Sequence, residues 1–201
     1  GRISFLLGEV YLNERPAEEG NPVSAGDIIR TGPNSEVEIE IRDSSIFSIK
    51  ENTHIEVGDV LTSPSITVKR GWFLIIVRKG IPYEVFTPTV LAGVRGTVFF
   101  FRVYDEERAY LCNCNGRLDL FNRDTGELLR TVRSEYHTPF DIKRAGGVVS
   151  AEKTKVLFHE DEDILEMAAR FQRETMIFRR KEEERRQKSS RGSSGGGGGG
   201  Y

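Results

Sequence analysis

From Ile3 to about Val132 the chain is written in short apolar or alternating runs separated by Gly, Pro, Asn and Asp, the pattern of many short strands. The clearest is Val37-Glu38-Ile39-Glu40-Ile41, where a period of two sets Val37, Ile39 and Ile41 on one face and Glu36, Glu38 and Glu40 on the other, solvated one. Arg42-Asp43-Ser44 then turns into Ser45 to Ile49, and Ile55 and Val57 follow. Trp72 to Val77 and Val98 to Phe101 are almost continuously apolar, which predicts strands covered on both faces. Turn signals recur roughly every ten residues with no helix-period segment among them, so the pattern predicts an all-β sandwich or β-roll rather than an α/β design.

The character changes near Ala151. From Asp161 onward, Ile164, Ala168, Phe171, Thr175 and Phe178 recur at three- and four-residue spacing, predicting an amphipathic helix. Asp161, Glu162 and Asp163 fall in its first turn, where the helix dipole favours them. From Arg179 to Lys188 the apolar face is gone and i,i+4 pairs such as Glu182 with Arg186 describe a solvated helix end. Residues 189–200 are a Ser/Gly tract unable to bury a core, closed by Tyr201, and read as either an appended linker or a native sticky end. The expected division is 1–150 for the β domain, 151–188 for linker and helix, and 189–201 for the tail.

Composition narrows the function classes. With 29 basic and 31 acidic residues the net charge is −2, so no global field draws nucleic acid, anionic lipid or an acidic substrate. No run of about 18 apolar residues exists, so no membrane insertion is expected. The chain opens on Gly1 without a basic-then-apolar segment, as a mature protein freed of its signal or a trimmed chain would. Two cysteines are too few for a disulfide scaffold, which leaves core burial to hold the fold.

Several short motifs punctuate the strands. Gly26-Asp27 and Thr31-Gly32 bracket one strand with turn residues that tolerate positive φ. Ser35, Asp43-Ser44 and the Asn52-Thr53 pair follow, then Thr87-Pro88 and the run Val94-Arg95-Gly96-Thr97-Val98-Phe99. Pro88 pre-sets an extended backbone and removes a donor, which suggests a sheet edge. Arg95 could pin neighbouring carbonyls or bind an anion, the structural role being the expected one. Taken together this set resembles the FecR domain family, named after a periplasmic ferric-citrate signalling protein, over about the first 120 residues. The resemblance implies a FecR-like β fold and mainly structural roles for Gly26, Asp27, Thr31, Gly32, Asn52, Thr53, Pro88, Arg95, Gly96 and Thr97. It also implies a periplasmic or extracellular binding or assembly module. FecR-like signalling proteins usually add a cytoplasmic anti-sigma segment, a membrane helix and a C-terminal module; none is visible in this sequence, so the resemblance does not by itself imply sigma-factor signalling.

Candidate chemistry centres on Cys112-Asn113-Cys114. Two residues apart on a strand, both thiols share one face with α-carbons roughly 6.6 Å apart, near the upper limit for a disulfide. They could instead clamp a soft metal. A Cys₂His₂ set of Cys112, Cys114, His137 and His159 would tie the C-terminal helix to the sheet, and zinc, copper(I) or an iron cluster are chemically compatible. The opposing reading is that free cysteines act as small buried hydrophobes, and this spacing is not one of the tight zinc signatures. His54 reads as a turn or surface residue.

No nucleophile elbow, phosphate-cradling loop or His-Glu-x-x-His is present. Glu38, Glu40 and Asp43 line a solvated face with no acid/base pair among them. Tyr83, Phe86 and Phe99 to Phe101 are core candidates without the basic stripe that nucleic acid requires. The expectation is a non-enzymatic extracytoplasmic binding or sensory module with a metal site as its candidate centre, meeting an envelope or extracellular protein or itself. The alternative is a structural subunit of a surface assembly that uses strand edges, the C-terminal helix and the tail.

Overall fold

The computed structural model describes residues 1–42, 44–60, 62–170 and 183–184. The chain divides into one unit of Gly1–Phe158 and a second of His159–Tyr201. Alternation of apolar residues with turn signals yields, among the described residues, fourteen strands in the first unit, all joined by hydrogen bonds into one continuous sheet. Among them are β4 (Ile28–Thr31), β5 (Glu36–Ile41), β6 (Ser45–Ile49), β7 (His54–Val57) and β9 (Pro82–Phe86). Three are much longer: β8 (Ser65–Val77), β10 (Val90–Val103) and β11 (Arg108–Asn122).

Each long strand changes partners partway along. The C-terminal half of β8 pairs with β6 and with β10 from Val98 to Val103, while its N-terminal half pairs with β7 and, in parallel, with β9. The first half of β10 pairs with β9. The first half of β11 pairs with β13 (Thr138–Ala145), and its second half pairs with β12 (Leu128–Ser134). Two leaves result, sharing the three long strands. Val37, Ile39, Phe73, Ile75, Val85, Phe99, Phe101, Leu111 and Leu118 belong to one buried cluster that draws on both.

The partner changes occur at glycines. Gly71 in β8, Gly96 in β10 and Gly116 in β11 have φ of 97°, 59° and 108°, which a side chain disfavours. There is also no room for one. A Cβ on Gly71 would come 2.4 Å from Thr53 Cα, one on Gly96 2.5 Å from Lys79 Cα, and one on Gly116 2.7 Å from Thr97 Cβ.

Neighbouring threonines fasten these bends. The Thr97 hydroxyl proton is shared between Asn113 Oδ1, 2.9 Å away, and the Asn115 carbonyl. Thr53 Oγ1 accepts the Trp72 amide at 3.0 Å, and the Thr53 amide donates to Thr31 Oγ1 at 3.0 Å.

The all-β expectation holds, and the runs expected to be covered on both faces are. Phe73, Ile75, Phe99 and Phe101 enter the central cluster, while Leu74, Ile76, Val98 and Phe100 are buried on the opposite face. Three expectations change. Glu38 is buried, because β5 lies between β1 (Arg2–Leu7) and β6 instead of beside solvent. Glu36 and Glu40 on the same face are engaged by Lys50 at 2.6 Å and Arg2 at 3.0 Å. Pro88 sits in the hairpin turn between β9 and β10, where Thr87 Oγ1 accepts the Val90 amide at 3.0 Å; β9 also pairs with β8, so this is no sheet edge. Strands continue past Val132, through β13 and β14 (Val148–Lys153), joined by the positive-φ pair Gly146-Gly147.

In the second unit, α1 spans Asp161–Arg170 with its acidic first turn. Asp163 Oδ2, in the third helical position, accepts the Glu160 amide at 2.8 Å, as the reaching-back half of a capping box does. Phe171, Thr175, Phe178, the charged stretch apart from Glu183 and Glu184, the Ser/Gly tail and Asp43 lie outside the described residues. Among the described residues no helix is long and apolar enough to cross a membrane.

Gly71→Ala is expected to lower stability by about 3 kcal/mol or more through backbone strain plus overpacking. Gly80→Ala, at φ 88° but with nothing within 4 Å, carries the strain alone, about 1–2 kcal/mol. Chemical denaturation of the two variants separates the contributions.

Candidate metal centre

Cys112 and Cys114 form no disulfide and are fully buried on one face of β11. This face is turned away from the central cluster and continues as Tyr110 on the same strand and Phe100 on β10, whose register partner is Cys112. Phe158 closes on Tyr110 and Phe100, with ring centroids 5.3 and 6.3 Å away. The backbone at this point is held by Tyr110 itself. Its hydroxyl accepts the Leu157 amide at 3.0 Å and donates to the Lys155 carbonyl at 3.3 Å. Burial, followed by the neighbouring Cys112, pushes the Tyr110 hydroxyl far above its ordinary pKa, so it remains a neutral donor and acceptor.

His137 reaches the thiols because β11 changes partners. β12 runs beside β11 beyond the bend and β13 beside it before the bend, so the connection of residues 135–137 must cross over Cys114 and Asn115. The Asn115 side chain donates to the Glu135 carbonyl at 3.0 Å, and the His137 amide donates to the Cys114 carbonyl at 3.1 Å. His137 takes φ 38° to complete the crossing. Its Nδ1 then lies 3.5 Å from Cys112 Sγ, and the ligand atoms of Cys112, Cys114 and His137 all lie within 4.8 Å of one another.

The edges of a tetrahedral site with zinc–sulfur bonds near 2.3 Å and zinc–nitrogen bonds near 2.0 Å are roughly 3.5–3.8 Å. This Cys/His cluster therefore has the donors and spacing to bind a metal ion. Of the sequence-derived candidates, Cys112, Cys114 and His137 come together in the first unit, and His159 opens the second, just before α1.

The motif residues sit elsewhere. Gly26 (φ 87°) and Asp27 form the turn before β4, where Asp27 Oδ2 accepts the Ser24 amide at 2.7 Å. Gly32 exchanges backbone bonds with Glu9 and Asn52. Arg95 is exposed, beside Asp119.

Sequence reasoning placed His54 in a turn or on the surface, but it lies partly buried in β7. There it lines a cavity of about 520 Å³ with Arg30 and Arg70. The available signal was that all three occupy paired positions on neighbouring strands, which only the register reveals.

Two outcomes are expected. In the native protein Cys112 and Cys114 resist a thiol reagent that titrates both in denaturant. Tyr110→Phe, which strands the Leu157 amide and the Lys155 carbonyl, costs about 1–3 kcal/mol on unfolding.

Residues 27–116 match the family model described as FecR protein, which takes in every motif residue except Gly26. No curated protein matches the chain. Two crystal structures of a proposed anti-sigma factor from Parabacteroides distasonis ATCC 8503 have a similar fold, each with a TM-score of 0.52 and 15% identity. The match covers 64% of this chain and 60% of that one, so the chain spans less than two thirds of the length of the protein it resembles. The Thr31, Thr53, Gly96 and Thr97 positions that fasten the strand bends lie inside the matched segment, and over residues 27–116 the chain is similar to the FecR family.

Proposed function

We propose that this chain is a non-enzymatic, extracytoplasmic binding or sensory module of FecR type whose responsive centre is a metal ion held by Cys112, Cys114 and His137, with His159 as fourth ligand. The observation that carries this reading is the 3.5 Å approach of His137 Nδ1 to Cys112 Sγ beside a second buried thiol. Covalent connection supports His159, since Phe158 meets Tyr110 edge-on, two residues before Cys112 on the same face, and His159 is the next residue. Two sulfurs and two imidazoles favour zinc or copper(I) over hard cations. With all four positions filled by protein, the ion would be structural or sensory, with no open position for catalysis. The anti-sigma description of the similar P. distasonis protein suggests that the module serves regulation through a protein partner.

Elemental mass spectrometry on anaerobically purified protein tests the reading. About one equivalent of zinc or copper is expected, lost in the Cys112→Ser/Cys114→Ser double variant and weakened in His137→Ala and His159→Ala. Equal metal content in wild type and double variant, or none in either, overturns it and leaves the thiols as packing residues.

A further inference from the structure

A second site lies far along the sequence from the thiols. Tyr11 on β2 (Val10–Leu12), Arg30 on β4, His54 on β7 and Arg70 on β8 are successive register partners, so their side chains form one row across four adjacent strands. The row lines the cavity of about 520 Å³, whose floor includes Thr31 and Thr53. That floor is rigid, because Thr53 is bonded to Thr31 and to the Trp72 backbone beside the Gly71 bend.

Directly opposed like charges on neighbouring strands destabilise a sheet, yet two guanidiniums flank an imidazole here. Only part of this charge is met within the protein. Glu14, in the turn before β3 (Arg15–Pro16), sits on Arg30 at 2.5 Å, and Glu56 lies 3.9 Å from Lys69. Among the described residues Arg70 has no carboxylate partner. It also borders an adjoining cavity of about 330 Å³ with Trp72, Arg102 and Tyr104.

We propose that the Arg30–His54–Arg70 row is a binding site for a small oxyanion, a phosphate- or carboxylate-bearing molecule held between the two guanidiniums with the His54 ring at its centre. Planar guanidinium forks match oxyanions of both kinds. The cavity is larger than a bare phosphate requires, leaving room for an organic remainder against Tyr11. Glu14 acts as a built-in competitor for Arg30.

The groups facing His54 are Arg30 from β4, Lys69 and Arg70 from β8, and Glu14 from the turn after β2. Partial burial first, then Arg30, Lys69 and Arg70, hold its pKa below the ordinary imidazole value, and only Glu14 opposes them. An anion seated in the row stabilises the imidazolium and reverses that balance.

The test is an NMR titration of the His54 ring protons against inorganic phosphate and, separately, malonate, with ionic strength held constant by sodium chloride. Saturation by a bound probe is expected to raise the His54 pKa by about one unit, a tenfold change in its protonation equilibrium. Arg70→Gln, at an exposed position, is expected to weaken binding about tenfold, the loss of one charge-assisted pair. Glu14→Gln is expected to strengthen it several-fold, and Lys153→Gln on β14 to leave it unchanged.

A response to phosphate alone identifies a phosphoryl ligand and a response to malonate alone a carboxylate; either supports the site. A His54 resonance that ignores both probes overturns it. So does an equal effect of Arg70→Gln and Lys153→Gln, which would mean general charge screening. Metal content is a separate readout, so failure here leaves the thiol centre untouched.

Discussion

Three positive-φ glycines, one in each long strand, are the constraint on which the rest of the first unit depends. A strand of thirteen to fifteen residues cannot serve two leaves unless it turns sharply between them, and at Gly71, Gly96 and Gly116 the turn is made where neighbouring chain occupies the space of a side chain. Thr53 and Thr97 pack into two of those spaces and spend their hydroxyls on backbone groups that the bends leave without ladder partners. The matched family segment thus records mechanical requirements of the crossing more than any ligand.

Both candidate centres are consequences of that crossing. At the β11 bend the change of partner forces the connection of residues 135–137 over the strand, which sets an imidazole beside two thiols that are otherwise distant in sequence. At the β8 bend Gly71 admits Thr53, which fixes β7 and, through Thr31, β4, and so aligns the cationic row above. Neither centre needs a loop of special composition. Each is a by-product of where a strand is allowed to turn.

This explains what was legible in the sequence. Period-two alternation at Val37 to Ile41 and the doubly apolar runs at Trp72 to Val77 and Val98 to Phe101 carry their own strand assignment, and the same-face placement of Cys112 and Cys114 follows from pleat geometry alone. Burial of Glu38 was not legible, because alternation identifies two faces but not which strands flank them. β13 and β14 were overlooked although Gly146-Gly147 between two runs is a hairpin signal; their charged residues diluted the alternation. The Arg30–His54–Arg70 row was hidden for a deeper reason, since cross-strand partners are set by register and no single segment contains it.

The sharing of β8, β10 and β11 between the leaves also bears on how the domain comes apart. Neither leaf owns a complete set of strands, so neither can persist once the other has lost its pairing, and the central cluster draws side chains from both. Loss of order in the first unit is thereby made concerted, with the glycine crossings released together with the core instead of fraying ahead of it.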